Sequence, residues 1–223
     1  MARVLVLAAA GSGLRLGGDE PKALVRLSGR PLLEWALEAL APAGFAGVAV
    51  TAPPDRMEEF RSVVGERARV VAGGQTRTES VRRGLAALDA NDDDLVCVHD
   101  AARPFVTAGE AGAVMDAAQR AGAAIGAVRV VDTIKRVSAD RVVATVDRDG
   151  LYGAATPQAF RAALLRRALA TGRDATDEAA LCEAIGIPVA VVPLSRLSFK
   201  ITTREDLEIA RAVIAWRAGE GGR

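Results

Sequence analysis

Histidine is nearly absent from this chain: His99 is the only one in 223 residues. A lone imidazole leaves no credible catalytic dyad built on histidine. Cysteine is almost as scarce. Cys97 and Cys182 show no metal-ligand spacing, and each sits in an apolar-rich segment, so both read as buried, reduced thiols and nothing points to an oxidising compartment. There is no excess of either charge, with 29 Lys and Arg against 28 Asp and Glu. Nucleic-acid binding therefore gets no support from charge alone. No apolar run is long enough to span a membrane. The first residues, MARVLVLAAAG, superficially resemble a signal peptide. They run into Gly11-Ser12-Gly13 and then charged residues, which reads instead as a first buried strand. The expected setting is cytoplasmic, with neither nucleic acid nor membrane as partner.

Half of the residues are hydrophobic and about a quarter are charged, as in an ordinary globular chain of one large domain. Short apolar runs alternate with amphipathic stretches rich in Ala and Leu. Strands are expected at Val4–Ala9, Gly47–Thr51, Arg69–Ala72, Asp94–Val98 and Ala123–Val128. Helices are expected at Leu32–Leu40, Asp55–Val63, Thr78–Leu88 and Glu110–Arg120. Continuous apolar strands are buried on both faces, and alternation with helices gives right-handed crossovers. The fold class is therefore α/β, with a doubly wound, Rossmann-like, mostly parallel sheet. Ligands in such sheets sit beyond the carboxyl ends of the strands.

The alternation breaks after Val128. Val131–Val137 and Arg141–Asp147 flank the turn Ser138-Ala139-Asp140 and read as a projecting β-hairpin arm. A hairpin cannot bury a face alone, so a second copy of the chain is its expected partner. Helices resume at Gln158–Ala170 and Asp177–Ile185. A strand follows at Val189–Val192, and a last helix runs from about Arg204 to Trp216, capped at Thr202-Thr203.

The segment after the first strand, Gly11-Ser12-Gly13-Leu14-Arg15-Leu16-Gly17-Gly18-Asp19-Glu20-Pro21-Lys22, is a phosphate-cradling loop. It is not a P-loop, which needs Gly-x-x-x-x-Gly-Lys-Ser/Thr. Nor is it a dinucleotide fingerprint, because Leu16 stands where Gly or Ala is required. What it offers is a long turn carrying two cations, Arg15 and Lys22, suited to fold over a triphosphate. In this it resembles the signature of the nucleotidyltransferases that activate sugars and alditol phosphates.

A second motif, His99-Asp100-Ala101-Ala102-Arg103-Pro104, closes the strand at Asp94–Val98. A carboxylate at a strand end beside a phosphate loop suits Mg²⁺ or another divalent cation, with Asp100 as ligand. Arg103 is placed to hold a second anion. His99 is read as a packed ring rather than a base. The string resembles the 2-C-methyl-D-erythritol 4-phosphate cytidylyltransferase family, and the resemblance runs in order along the chain. Gly73-Gly74-Gln75-x-Arg77, Ser80, Asp132-Thr133, Val146-Asp147-Arg148, Thr156-Pro157-Gln158, Thr176-Asp177-Glu178 and Lys200-Ile201-Thr202 continue it.

That resemblance implies one nucleotidyltransferase domain over residues 1–223, with a dimerisation arm at about 131–155. The implied reaction moves CMP from CTP to 2-C-methyl-D-erythritol 4-phosphate in non-mevalonate isoprenoid synthesis. Arg15 and Lys22 would stabilise the transition state. Ala9, Ala10, Gly11, Gly13, Gly74, Ser80 and Ala101 would hold the nucleotide. Arg103, Thr156 and Lys200 would hold the acceptor, joined by Thr133 and Arg148 from the arm of a homodimer partner. Gln75 and Ser198 depart from the family pattern, the first where an acidic residue can stand, the second where an amide can. A chain of this length is not expected to carry a fused second enzyme. Alternative readings remain: transfer to another alditol phosphate such as ribitol 5-phosphate, activation of a sugar 1-phosphate, and a non-catalytic nucleotide-binding protein.

Overall fold

The computed structural model describes residues 1–11 and 20–220. In chain order the strands are β1 (Arg3–Ala8), β2 (Arg26–Leu27), β3 (Arg30–Pro31), β4 (Gly47–Ala52), β5 (Arg69–Ala72), β6 (Leu95–Asp100), β7 (Ala123–Arg129), β8 (Ile134–Ser138), β9 (Arg141–Val146), β10 (Tyr152–Arg161) and β11 (Ala190–Pro193). The helices are α1 (Leu32–Leu40), α2 (Met57–Val64), α3 (Arg77–Ala86), α4 (Ala108–Ala121), α5 (Ala162–Leu169), α6 (Glu178–Glu183) and α7 (Arg204–Glu220).

Seven strands form the main sheet in the order β11-β7-β10-β6-β1-β4-β5. Every neighbouring pair is parallel except the two that involve β10, which runs antiparallel to both β6 and β7. From β1 the chain winds outward through β4 and β5, then crosses back to lay β6 on the other side of β1. The winding direction reverses between β1 and β6. Their carboxyl ends therefore splay into a crevice, where doubly wound sheets bind ligands.

The strands alternate their side chains between two apolar layers. Val4 and Val6 of β1 pack with Val98, Phe160, Leu165 and Leu181, on the face covered by α3, α5 and α6. Leu5 packs on the opposite face with Met115 and Ala118 of α4. Leu7 packs on that face with Leu33, Leu37 and Phe60 of α1 and α2. Burial of β6 is complete along its length. Helix starts are fixed by side chains: Thr76 caps α3, Asp177 caps α6, and Thr107 with Glu110 forms a capping box on α4. Thr203 accepts from Asp206 N at 3.2 Å and caps α7, as its sequence predicts.

β8 and β9 pair only with each other, across a turn at Ala139 and Asp140 whose φ angles of 45° and 59° suit a tight hairpin. Val137, Val142 and Val143 stand 57%, 62% and 57% exposed on it, which matches the expected arm.

The helix expected at Gln158–Ala170 starts later than its sequence suggests. The stretch from Gln158 to Arg161 is strand, and the helix begins only at Ala162. Gln158, Ala159 and Phe160 pair with β6 on one side and β7 on the other. Two ladders of non-local hydrogen bonds outweigh the local helical preference of an Ala-rich segment.

Candidate active site

A cleft of about 510 Å³ opens at the carboxyl ends of β1 and β6. Its floor is made of small groups, from Ala8 to Gly11, with Thr51 beneath. Ala9 N donates to Thr51 Oγ1 at 3.3 Å, and Ala101 N donates to Ala8 O at 3.1 Å. One wall is the turn from β5 into α3. A Cβ on Gly73 would lie 2.5 Å from Ala10 Cβ, and one on Gly74 would lie 2.3 Å from Glu79 Cγ, so only glycine allows this close approach. Ser80 Oγ accepts from Gly74 N at 3.0 Å and donates to Thr76 O at 2.9 Å, which pins the turn. The lining is thus largely backbone and methyl groups, with room for a flat base.

Charge is concentrated here although the whole chain is nearly neutral. Lys22, Arg77 and Lys200 line the cleft with Asp100 among them. Asp100 Oδ1 lies 3.2 Å from Arg77 Nη2 and Oδ2 lies 2.7 Å from Lys200 Nζ. Burial alone would raise the Asp100 pKa, but the charges of Arg77 and Lys200 outweigh it and hold the carboxyl well below the usual carboxylate range. Asp100 N donates to Thr156 Oγ1 at 3.0 Å. Thr156 is reached through a register shift in β10 between Ala154 and Gln158, a bulge that re-aims a side chain.

Behind Asp100, Arg77 Nη1 contacts both oxygens of Glu178, at 2.6 and 2.7 Å. Glu178 is fully buried. Burial pushes its carboxyl up and Arg77 opposes that shift. Burial likewise weakens the charge on Arg77, but Glu178 and Asp100 more than restore it. Arg77 thus ties α3 to α6 and to the end of β6. The sequence alone gives neither Arg77 nor Glu178 a role. The available signal was their presence inside Gly73-Gly74-Gln75-x-Arg77 and Thr176-Asp177-Glu178; the contact itself spans 101 residues.

His99 is fully buried and its Nε2 lies 3.1 Å from Arg103 O. A carbonyl only accepts, so Nε2 carries the proton. Burial pushes the ring down to about 4, so it is neutral near pH 7. It is a packed ring, as expected. Arg103 Nη1 donates to Ser198 O at 2.9 Å. The Ser198 side chain turns away from the cleft and donates to Glu110. Gln75 lines the cleft, and its backbone N donates to Glu79 Oε2 at 2.9 Å.

Of the residues expected at the site, Ala9, Ala10, Gly11, Lys22, Gly74, Ser80, Asp100, Ala101 and Lys200 line one cleft. Arg15 and Gly13 lie outside the described residues. Thr156 supports Asp100 from beneath. Thr133 and Arg148 stand exposed at the base of the arm, neither lines the cleft of its own chain, and Arg148 donates to Val131 O.

Among the described residues no group of three or more His, Cys, Asp or Glu is placed to hold a metal ion. Mg²⁺ needs only one or two carboxylates, completing its shell with phosphate and water oxygens. Asp100 is the carboxylate among the residues lining the cleft, and both of its oxygens are engaged here, Oδ1 by Arg77 and Oδ2 by Lys200.

The family model for IspD, 2-C-methyl-D-erythritol 4-phosphate cytidylyltransferase, matches residues 3–215. The enzyme of that name from Frankia casuarinae is 43% identical over 217 residues, covering 94% of this chain and 80% of its own. Its namesake from Halalkalibacterium halodurans is 39% identical over 221 residues, covering 95% and 96%. The crystal structure of 2-C-methyl-D-erythritol 4-phosphate cytidylyltransferase from Thermus thermophilus superposes with a TM-score of 0.80 at 38% identity, covering 95% of this chain and 98% of that one. With the glycine turn, the Asp100 cluster and the sheet reversal falling within the matched residues, the chain belongs to the 2-C-methyl-D-erythritol 4-phosphate cytidylyltransferase family.

Proposed function

We propose that the cleft binds CTP and that the chain transfers its CMP unit to the phosphate of 2-C-methyl-D-erythritol 4-phosphate, releasing pyrophosphate, in non-mevalonate isoprenoid synthesis. The observation that carries this reading is the backbone-lined cleft at the sheet reversal, where Arg77 and Lys200 pair with Asp100 and Lys22 lines the same space. Its extension to a homodimer joined through the β8–β9 arm rests on the exposed valines of that hairpin and on the need of a lone hairpin for a partner; the cytoplasmic setting is part of the same proposal. No helix of the described residues is long and apolar enough to cross a membrane.

The nucleophile is an oxygen of the acceptor phosphate monoester. Its second pKa is about 6, so it is largely ionised at neutral pH and needs no general base. A buried, neutral His99 outside the cleft lining is consistent with that. The oxygen attacks the α-phosphorus of CTP, and the bond from that phosphorus to the oxygen bridging to the β-phosphorus breaks. The electron pair leaves with pyrophosphate. What opposes the reaction is the approach of one polyanion to another, so the protein contributes alignment and positive charge. Arg15 and Lys22 serve the α-phosphate and the leaving group. Arg103 and Lys200 hold the acceptor phosphate, and Thr133 and Arg148 reach it from the arm of a second copy. Thr156 and Arg77 fix Asp100. Asp100 would hold a divalent cation such as Mg²⁺, which would supply positive charge against the triphosphate.

The test follows labelled phosphorus. With the acceptor and Mg²⁺ present, label in the α-phosphate of CTP should enter the cytidyl product and label in the γ-phosphate should leave as pyrophosphate. Transfer of γ-label to the acceptor would mean a kinase and would overturn the proposal.

A further inference from the structure

We infer that Glu110, which does not line the cleft, is the positioning residue for the segment Ser195–Lys200 and thereby for acceptor binding. The inference rests on the reading above that Arg103 and Lys200 hold the acceptor phosphate. Glu110 occupies the third position of α4. Its Oε2 accepts from Thr107 N at 2.9 Å, the ordinary use of a glutamate in a capping box. That task needs one carboxylate oxygen. The other, Oε1, reaches across the fold and accepts from Ser195 N at 2.8 Å and from Ser198 Oγ at 3.1 Å.

The segment that receives this second set of contacts has little structure of its own. Between β11 and α7 it forms only a single 3₁₀ turn, Arg196–Ser198. Its other end is tied by Ile201 N to Ala102 O at 2.9 Å, and Ser198 O accepts from Arg103 Nη1 at 2.9 Å. Lys200 lies between these ties. Glu110 therefore fixes the start of the stretch that carries Lys200 and also the carbonyl that orients Arg103. The fully buried Ser198 is the joint between them.

A carboxylate can accept from all these donors, whereas an amide of the same shape must turn an NH₂ toward one pair of them. Three variants separate positioning from mere stability. Glu110→Gln and Ser198→Ala disturb the joint; Thr107→Ala removes the helix cap and leaves the contacts to Ser195 and Ser198 in place. The readouts are KM for each substrate, kcat, melting temperature, and hydrogen exchange of residues 195–200. In Glu110→Gln and Ser198→Ala, KM for the acceptor should rise about ten-fold, the order of one lost charged hydrogen bond, with KM for CTP nearly unchanged. Exchange in that segment should quicken in both. Thr107→Ala should lower the melting temperature and leave acceptor KM and segment exchange alone. An equal rise of acceptor KM in Thr107→Ala would overturn the inference, as would unchanged exchange or unchanged acceptor KM in the other two. Should Glu110→Gln fail to fold, Ser198→Ala carries the test. A wild-type protein that makes no product with this acceptor would instead refute the proposed activity, and the exchange comparison would still decide whether Glu110 orders the segment.

Discussion

Asp100 and Lys200 meet at 2.7 Å although a hundred residues separate them in the chain. One belongs to the end of β6 and the other to the irregular stretch before α7, so the contact closes one side of the cleft. Lys200 is about a third exposed there, so solvent screens the pair, and Asp100 keeps Arg77 as a partner when Lys200 is removed. On the proposed reading, its value lies in holding a cation at the cleft for the acceptor phosphate. Lys200→Ala should therefore fold normally and lose about 10²-fold or more in kcat/KM, chiefly through KM for the acceptor. Lys22→Ala and Arg15→Ala should instead lose their activity in kcat. Steady-state kinetics with each substrate varied, beside urea unfolding, checks this; kcat/KM within a few-fold of wild type in Lys200→Ala would remove it from the site.

Glu178 contributes to stability in a different way. It is fully buried against Arg77, and removing one partner of such a pair strands the other charge. Glu178→Ala should lower the unfolding free energy by about 3 kcal/mol, the low end for a broken buried pair. Equilibrium denaturation measures it, and a loss below about 1 kcal/mol would mean that water or Asp100 compensates Arg77 fully.

The parallel strands are legible in the chain because buried strands read as short apolar runs whatever their neighbours are. The glycine turn and the string from His99 to Pro104 are legible because their chemistry is local. Gln158–Arg161 is not, since its residues suit a helix and only pairing with β6 and β7 makes them strand. The Arg77–Glu178 contact is hidden for the same reason. Glu178 at the start of α6 reads as an ordinary first-turn acid, and its meeting with Arg77 at the start of α3 depends on how α3 and α6 pack. Ser198 shows the converse: its departure from the family pattern is visible in sequence, but its attachment to Glu110 appears only in three dimensions.

Both thiols are buried and each is pushed up to about 12, Cys97 by burial and Cys182 by burial together with Glu178 and Glu183. Neither should react with a thiol reagent at pH 8 until the protein unfolds. The sign of the pH effect follows from linkage. Above pH 9 the unfolded thiols, with ordinary values near 9.0, lose protons that the folded ones keep, so stability falls as pH rises from 9 toward 12. Melting temperatures of the wild type and of Cys97→Ala and Cys182→Ala variants across that range check the contribution, which should shrink in each variant.

The arm exposes Val142 and Val143 on β9. Charge placed there should prevent pairing with a second copy. Val142→Glu with Val143→Glu should give a monomer by sedimentation and should lose activity, because Thr133 and Arg148 then have no neighbouring cleft to serve. A monomer with wild-type turnover would show that each chain completes its own site.

The acceptor that receives the CMP unit defines what the cleft does. Pyrophosphate release from CTP and Mg²⁺ decides it, with 2-C-methyl-D-erythritol 4-phosphate and ribitol 5-phosphate offered separately. Release should be rapid with the methylerythritol phosphate and slight with ribitol phosphate; release with ribitol phosphate alone, or with neither, would refute the proposed reaction.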